Sequence, residues 1–232
     1  MRVLAGTLAF GVLAVAEALF PTRAFAAESE RAPTATAPAA EGSSSSVVER
    51  RGGLLLALQA GGGVASTVGY PLAITKVGDP AYLSRSGTMI GSASSLLVMA
   101  ALADYLNFGI HVSSGRFQNQ DVQVTSFGMG VRVDAFPLYG LAARKRALRD
   151  LGVYASFGLG GSKLEAKSVV SPGAEGVQSF LGVGAFYEWS FGHLFGGHFA
   201  GGPSIGYETI FSQSIEQHAV AVAGRIAYYG SP

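Results

Sequence analysis

From Arg51 onward, apolar residues recur at every second position, the period of a β-strand with two unlike faces. Between Val177 and Phe191 the odd positions hold Val177, Ser179, Leu181, Val183, Ala185, Tyr187, Trp189 and Phe191. The even positions hold Gln178, Gly182, Gly184, Glu188 and Ser190, with Phe180 and Phe186 as exceptions. The same alternation sets Phe199, Ile205, Tyr207 and Phe211 against Ala200, Ser204, Gly206 and Glu208, and Val220, Val222, Ile226 and Tyr228 against Ala219, Ala221, Ala223 and Arg225. It also sets Phe127, Met129, Val131 and Val133 against Gly128, Gly130, Arg132 and Asp134. Leu151 to Gly160 and Phe108 to Ser113 behave alike. Two segments alternate less well: Leu55 interrupts Leu54, Leu56 and Leu58, and Ser92 to Tyr105 taken alone could be a helix. A closed bacterial barrel has an even number of strands, so counting that segment gives eight.

The polar face carries ions amid Gly and Ala, as suits a narrow interior, and the apolar face carries large side chains, as suits lipid. A soluble barrel would reverse these faces. The expected fold is therefore all-β, an eight-stranded antiparallel transmembrane β-barrel. Composition agrees, with 33 Gly, 49% apolar and 13% charged residues. The longest internal apolar run, Leu96 to Ala103, is too short for a spanning helix, which needs about 20 residues. There is no Cys, which excludes disulfides, a thiol nucleophile and Cys-based zinc sites.

Three segments are expected. Residues 1–26 read as a signal peptide: Arg2 precedes an apolar run, and Ala24-Phe25-Ala26 supplies the small-residue site for cleavage after Ala26. Residues 27–50, rich in Ala, Pro, Ser, Thr and Glu, read as a disordered periplasmic leader. Residues 51–232 are the barrel. Loss of Arg2, Glu17 and Arg23 with the signal leaves a neutral chain, so no nucleic-acid partner is expected.

With the leader in the periplasm, external loops are expected at Ser66–Met89, Ser113–Asp121, Lys163–Glu175 and Ser212–Gln217. Periplasmic turns are expected near Leu106-Asn107, Pro137–Asp150 and Gly192–Gly197. Leu138 to Asp150 is basic, with Arg144, Lys145, Arg146 and Arg149; it is a solvated turn or a short amphipathic helix that meets lipid phosphates or an acidic partner. Aromatics at strand ends, namely Phe108, Phe136, Tyr187, Trp189, Phe191, Phe199, Tyr207, Phe211, Tyr228 and Tyr229, are expected to form interfacial girdles.

Over residues 51–229 this pattern resembles the small outer-membrane barrel proteins, the OmpA, OmpX and OmpW-like group. The resemblance implies outer-membrane lipids, lipopolysaccharide and the outer-membrane assembly machinery as partners, and an external ligand of unknown kind. Chains of this group commonly end in an aromatic residue, whereas here Gly-Ser-Pro follows Tyr228-Tyr229.

The inward ions Asp104, His111, Arg132, Asp134, Glu188, Glu208 and Arg225 are the candidate site. Buried charges need partners, because desolvation costs several kcal/mol per ion. The resemblance implies that such ions form an internal plug; the alternative is a small passive path for apolar or other small solutes. A third reading starts from His111-Val112-Ser113, which resembles the His and Ser of barrel-embedded lipid A deacylases. That chemistry needs a Ser, His and acid clustered on the lipid side, and His111 falls on the lumen face, so no enzymatic role is expected. The glycine runs Gly61 to Gly63 and Gly158 to Gly161 lack the Lys of a phosphate loop. The four His residues are too scattered for a metal site, and no cofactor is expected.

Overall fold

The computed structural model describes residues 53–71, 73–139, 146–167 and 174–230. The signal segment, the leader, and Arg144 and Lys145 of the basic connection lie outside the described residues. The strands are β1 (Gly53–Gly69), β2 (Ser84–Ala103), β3 (Leu106–Gln118), β4 (Val122–Ala135), β5 (Leu151–Ala166), β6 (Ala174–Tyr187), β7 (Trp189–Leu194), β8 (Gly197–Phe211) and β9 (Ile215–Tyr229).

All pairings are antiparallel. Each of β1 to β5 pairs with the next strand, β6 pairs with β8, β8 with β9, and β9 closes onto β1. Nine segments make eight staves, because β6 and β7 are one strand interrupted at Glu188. The register that pairs Ala185 with Ile205 and Phe186 with Ser204 resumes unchanged with Trp189 opposite Gly201. In that register Tyr187 faces Pro203, which has no N–H to give. On the other edge the Glu188 N–H continues the β5–β6 ladder to the Asp150 carbonyl, 3.0 Å away.

Register fixes the shape. Starting from Leu55, hydrogen-bonded partners run Met99, Gly109, Arg132, Ser156, Gly182, Glu208 and Ala219, and return to β1 at Ala65. The circuit closes ten residues further along its own strand, a shear of ten. With ordinary strand spacing, that shear over eight staves tilts them by about 40°.

The outward face is apolar toward the rim where β1 begins and β9 ends, here the proximal rim, and turns polar toward the distal one. On β3, Phe108, Ile110 and Val112 give way to Ser114 and Arg116; on β5, Val153, Phe157 and Leu159 give way to Lys163 and Glu165; on β9, Ile226, Val222 and Val220 give way to His218 and Glu216. Leu159 is 66% exposed, which water would not favour and lipid would. Leu151 to Gly161 spans roughly 25 Å along the tilted axis, the height of an outer-membrane hydrocarbon band. Closure leaves no strand edge within this belt, as lipid demands.

The segment that alternated poorly is a strand, 20 residues long in β2. Its pattern is blurred because Ser92 and Ser94 face outward while Leu97 and Met99 are buried in the lumen. Leu55 likewise points inward and is fully buried.

The distal connections are shorter than expected. Strands continue beyond the belt with polar outward residues, which in sequence look like loop. β1 runs to Gly69 and β2 starts at Ser84, with an irregularity where Thr67 N–H donates to Ser86 Oγ at 2.8 Å and Gly87 takes φ +65°. The β3–β4 turn is closed by Asn119, whose Oδ1 accepts from the N–H groups of Asp121 and Val122 at 3.0 and 2.9 Å. Ser212 Oγ closes the β8–β9 turn in the same way, accepting from Ser214 and Ile215 N–H. At the proximal rim the β2–β3 turn falls at Asp104-Tyr105 and not at Leu106-Asn107. The β7–β8 turn is Phe195-Gly196, with φ of 52° and 77°, as a tight two-residue hairpin turn requires. Of the basic connection, one helical turn is described, Arg146–Arg149.

Candidate functional site

The lumen holds a chain of ions. Arg132 and Asp134 lie two apart on β4 and so share its inward face, with Nε–Oδ1 at 2.6 Å. Arg225 reaches in from β9, its Nη2 2.7 Å from Asp134 Oδ2 and its Nε 2.6 Å from Glu188 Oε1. Tyr229 donates to Glu188 Oε2 at 2.7 Å. At the other end Arg132 Nη1 donates to Gln59 Oε1 at 2.9 Å, and Ser95 Oγ donates to the same oxygen at 3.0 Å. Two guanidiniums thus face two carboxylates, and the chain is neutral. Each guanidinium also lies on a ring: Arg132 Cζ is 3.6 Å from the Tyr154 centroid, Arg225 Cζ 4.2 Å from that of Phe186. Arg132 and Arg225 are each only 1% exposed. At that depth such charges persist only when paired.

Glycines make room for the rings. A Cβ at Gly128 or Gly158 would lie 3.2 or 2.8 Å from Phe180, and one at Gly206 would collide with the Tyr154 hydroxyl. Inward glycines therefore seat aromatic rings from strands one or two places away, and two such rings, Tyr154 and Phe186, carry the guanidiniums of the ion chain.

Apolar side chains cluster toward both ends. Proximally, Leu55, Ala57, Leu97, Met99, Ala227 and Tyr229 pack together; distally, Met89, Phe117, Val124, Leu164, Ala174 and Ile215 do so. Between them lies a cavity of about 90 Å³, lined by Gln59, His111, Ser113, Arg132, Ser156 and Glu208 among others.

Of the seven ions taken from the sequence, Arg132, Asp134, Glu188 and Arg225 come together. Glu208 and His111 line the cavity, outside the ion chain. His111 packs edge-on against Phe180, with centroids 5.8 Å apart. Asp104 is in the proximal β2–β3 turn and takes no part, because β2 ends at Ala103. Sequence reading missed Gln59, Tyr154 and Phe186, and it placed Phe136 and Tyr229 in the girdle, whereas both are buried and Tyr229 holds Glu188. Gln59 is the polar residue on the inward face of a Leu-rich strand, and Tyr229 has the parity of Arg225; both signals were present.

The His111 and Ser113 side chains face the lumen, away from lipid. Among the described residues no group of three His, Asp or Glu side chains is placed to hold a metal ion. On the outer wall a different set meets: Tyr207 OH is 2.7 Å from His218 Nδ1, and His218 Nε2 is 3.0 Å from Glu216 Oε1. It stands at the polar margin, with Phe211 opposite Glu216. Tyr187, Trp189, Phe191, Phe199 and Tyr228 gather at the proximal rim. Tyr187–Trp189, Phe191–Phe199 and Phe199–Tyr228 centroids are 6.0, 6.3 and 5.1 Å apart.

No family model matches the chain, and no curated protein does. Solved structures do. Ail, the attachment invasion locus protein of Yersinia pestis, is 13% identical with a TM-score of 0.43, covering 76% of this chain and 99% of its own. Neisserial surface protein A is 10% identical with a TM-score of 0.38, covering 75% and 96%. The outer membrane protein OprG of Pseudomonas aeruginosa is 9% identical with a TM-score of 0.33, covering 79% and 99%. Register, closure and the outward apolar belt make residues 53–229 of this chain an eight-stranded transmembrane β-barrel.

Proposed function

We propose that this protein is a plugged, non-conducting barrel of the bacterial outer membrane, exported by removal of residues 1–26, with a structural role in the envelope. One observation carries the reading: an apolar cluster packs toward each end of the lumen, and a neutral ion chain crosses it. A solute crossing it would have to part Arg225 from Asp134 and Glu188 and then displace packed side chains. The lipid-facing wall takes outer-membrane lipids, the polar distal margin meets lipopolysaccharide, and insertion uses the outer-membrane assembly machinery. The distal connections, chiefly residues 70–83, are the surface for any external partner. No catalytic role is assigned.

The cavity of about 90 Å³ favours a second reading, a small passive path. Single-channel recording of the refolded protein in planar bilayers separates the two. Silent insertion, verified by heat-modifiable migration, is expected. Steady conductance that rises in Arg132→Ala would establish the path instead and displace the plugged reading.

A further inference from the structure

The described inward-facing charges do not cancel. Arg132 and Arg225 balance Asp134 and Glu188, and Glu208 remains. Its contact is the Ser113 hydroxyl, and among the described residues no basic side chain pairs with it. Around the cavity, three further buried donors or acceptors lack a hydrogen-bond partner among the described residues: Gln59 Nε2, His111 Nδ1 and Arg132 Nη2. All three residues line the same cavity as Glu208.

The cavity therefore has two unlike ends. Arg132, with the Gln59 amide, makes the proximal end electropositive and repels a cation. Beside Glu208 the cross-strand partners are Gly182 and Ala219, which leave the carboxylate to hydroxyl groups. Ser113 contacts it from β3, and Ser156 Oγ lies over Gly182. A carboxylate with hydroxyl oxygens in a confined space is a donor set for a hard cation. One carboxylate left by two neutral pairs is neutralised by a proton or by a single bound cation, and the hydroxyls beside it suit the cation.

We infer that the corner formed by Glu208, Ser113 and Ser156 binds a small monovalent alkali cation that neutralises the lumen. The site does not require the barrel to conduct, so silent bilayers leave it intact. The ion would pass the distal apolar layer, whose members are side chains and not backbone.

The test is equilibrium urea unfolding of the full mature protein in lipid vesicles, in sodium chloride and in choline chloride of equal ionic strength. Choline is too bulky for the corner. Sodium is expected to raise the unfolding midpoint, lowering the unfolding constant about tenfold at a concentration ten times the dissociation constant. Glu208→Gln, close in shape, should abolish the difference between salts, and Ser113→Ala should reduce it. Sodium-23 relaxation gives a second readout: broadening by wild type and none by Glu208→Gln. Equal midpoints in both salts, or a difference that persists in Glu208→Gln, would overturn the site. So would stability indifferent to sodium that falls as pH rises toward neutrality in wild type and not in Glu208→Gln, which would make a proton on Glu208 the neutralising charge.

Discussion

Arg225 on β9 and Asp134 on β4, on strands that are not hydrogen-bonded neighbours, meet inside the lumen with Nη2 and Oδ2 2.7 Å apart. The contact ties distant arcs of the wall, and through Glu188 it also fixes the junction where β6 passes into β7.

Removing Arg225 leaves two buried carboxylates short of a counter-charge. Arg225→Ala is expected to cost about 3–5 kcal/mol in reversible urea unfolding from vesicles. A double substitution that also removes Asp134 should cost less than the two single losses together, since one uncompensated charge disappears with its partner. A loss under about 1 kcal/mol for Arg225→Ala would mean that the chain of ions does not hold the wall.

The ring seats give a second expectation. A Cβ at Gly152 would collide with the Phe186 ring alone, so Gly152→Ala overpacks the lumen and should cost about 1–3 kcal/mol. In a Phe186→Leu background that cost should shrink by half or more. Equal costs in both backgrounds would place the penalty in the strand and not in the ring contact.

Trp189 is the single Trp of the chain, so its fluorescence reports one position. It stands with Tyr187 and Phe191 at the proximal rim, on the β7 hairpin that pairs with β8 alone. Emission in vesicles should be blue-shifted, and bromines near the acyl carbonyls should quench it more than bromines at the chain ends. Strong quenching by aqueous iodide with no effect of brominated lipid would put the hairpin in water.

The two faces of β4, β5, β6 and β9 were legible from parity, because small inward and large outward residues alternate there, with Tyr154, Phe180 and Phe186 as the large inward exceptions. β2 was not, since Ser92 and Ser94 face outward and Leu97 and Met99 inward, opposite to the rule used elsewhere. Strand ends were misplaced for a related reason. Arg116, Lys163 and Glu216 read as loop, yet they are strand residues beyond the lipid belt. Inward ions could be named from parity, but which of them touch depends on the shear of ten. That shear brings Arg225 to Asp134 and Glu188 and leaves Glu208 without a guanidinium. No single strand carries it. The role of Phe180 depends on it as well, since one of its seats, Gly128, lies two strands away.

The belt boundary makes the last expectation depth-dependent. Phe157 and Lys163 lie six residues apart on the outward face of β5, the first 58% exposed within the apolar stretch and the second paired with Glu165 at 2.7 Å beyond it. Phe157→Arg should therefore cost about 2–4 kcal/mol in lipid, because the guanidinium would enter the hydrocarbon near mid-belt. Lys163→Leu should change stability by no more than about 0.5 kcal/mol, since an exposed ion pair contributes little. In a detergent micelle, which deforms and admits water more readily, the Phe157→Arg cost should fall while Lys163→Leu stays near zero. Comparable costs at both positions would mean that lipid does not end between Leu159 and Lys163, and the wall would then need a different depth in the membrane.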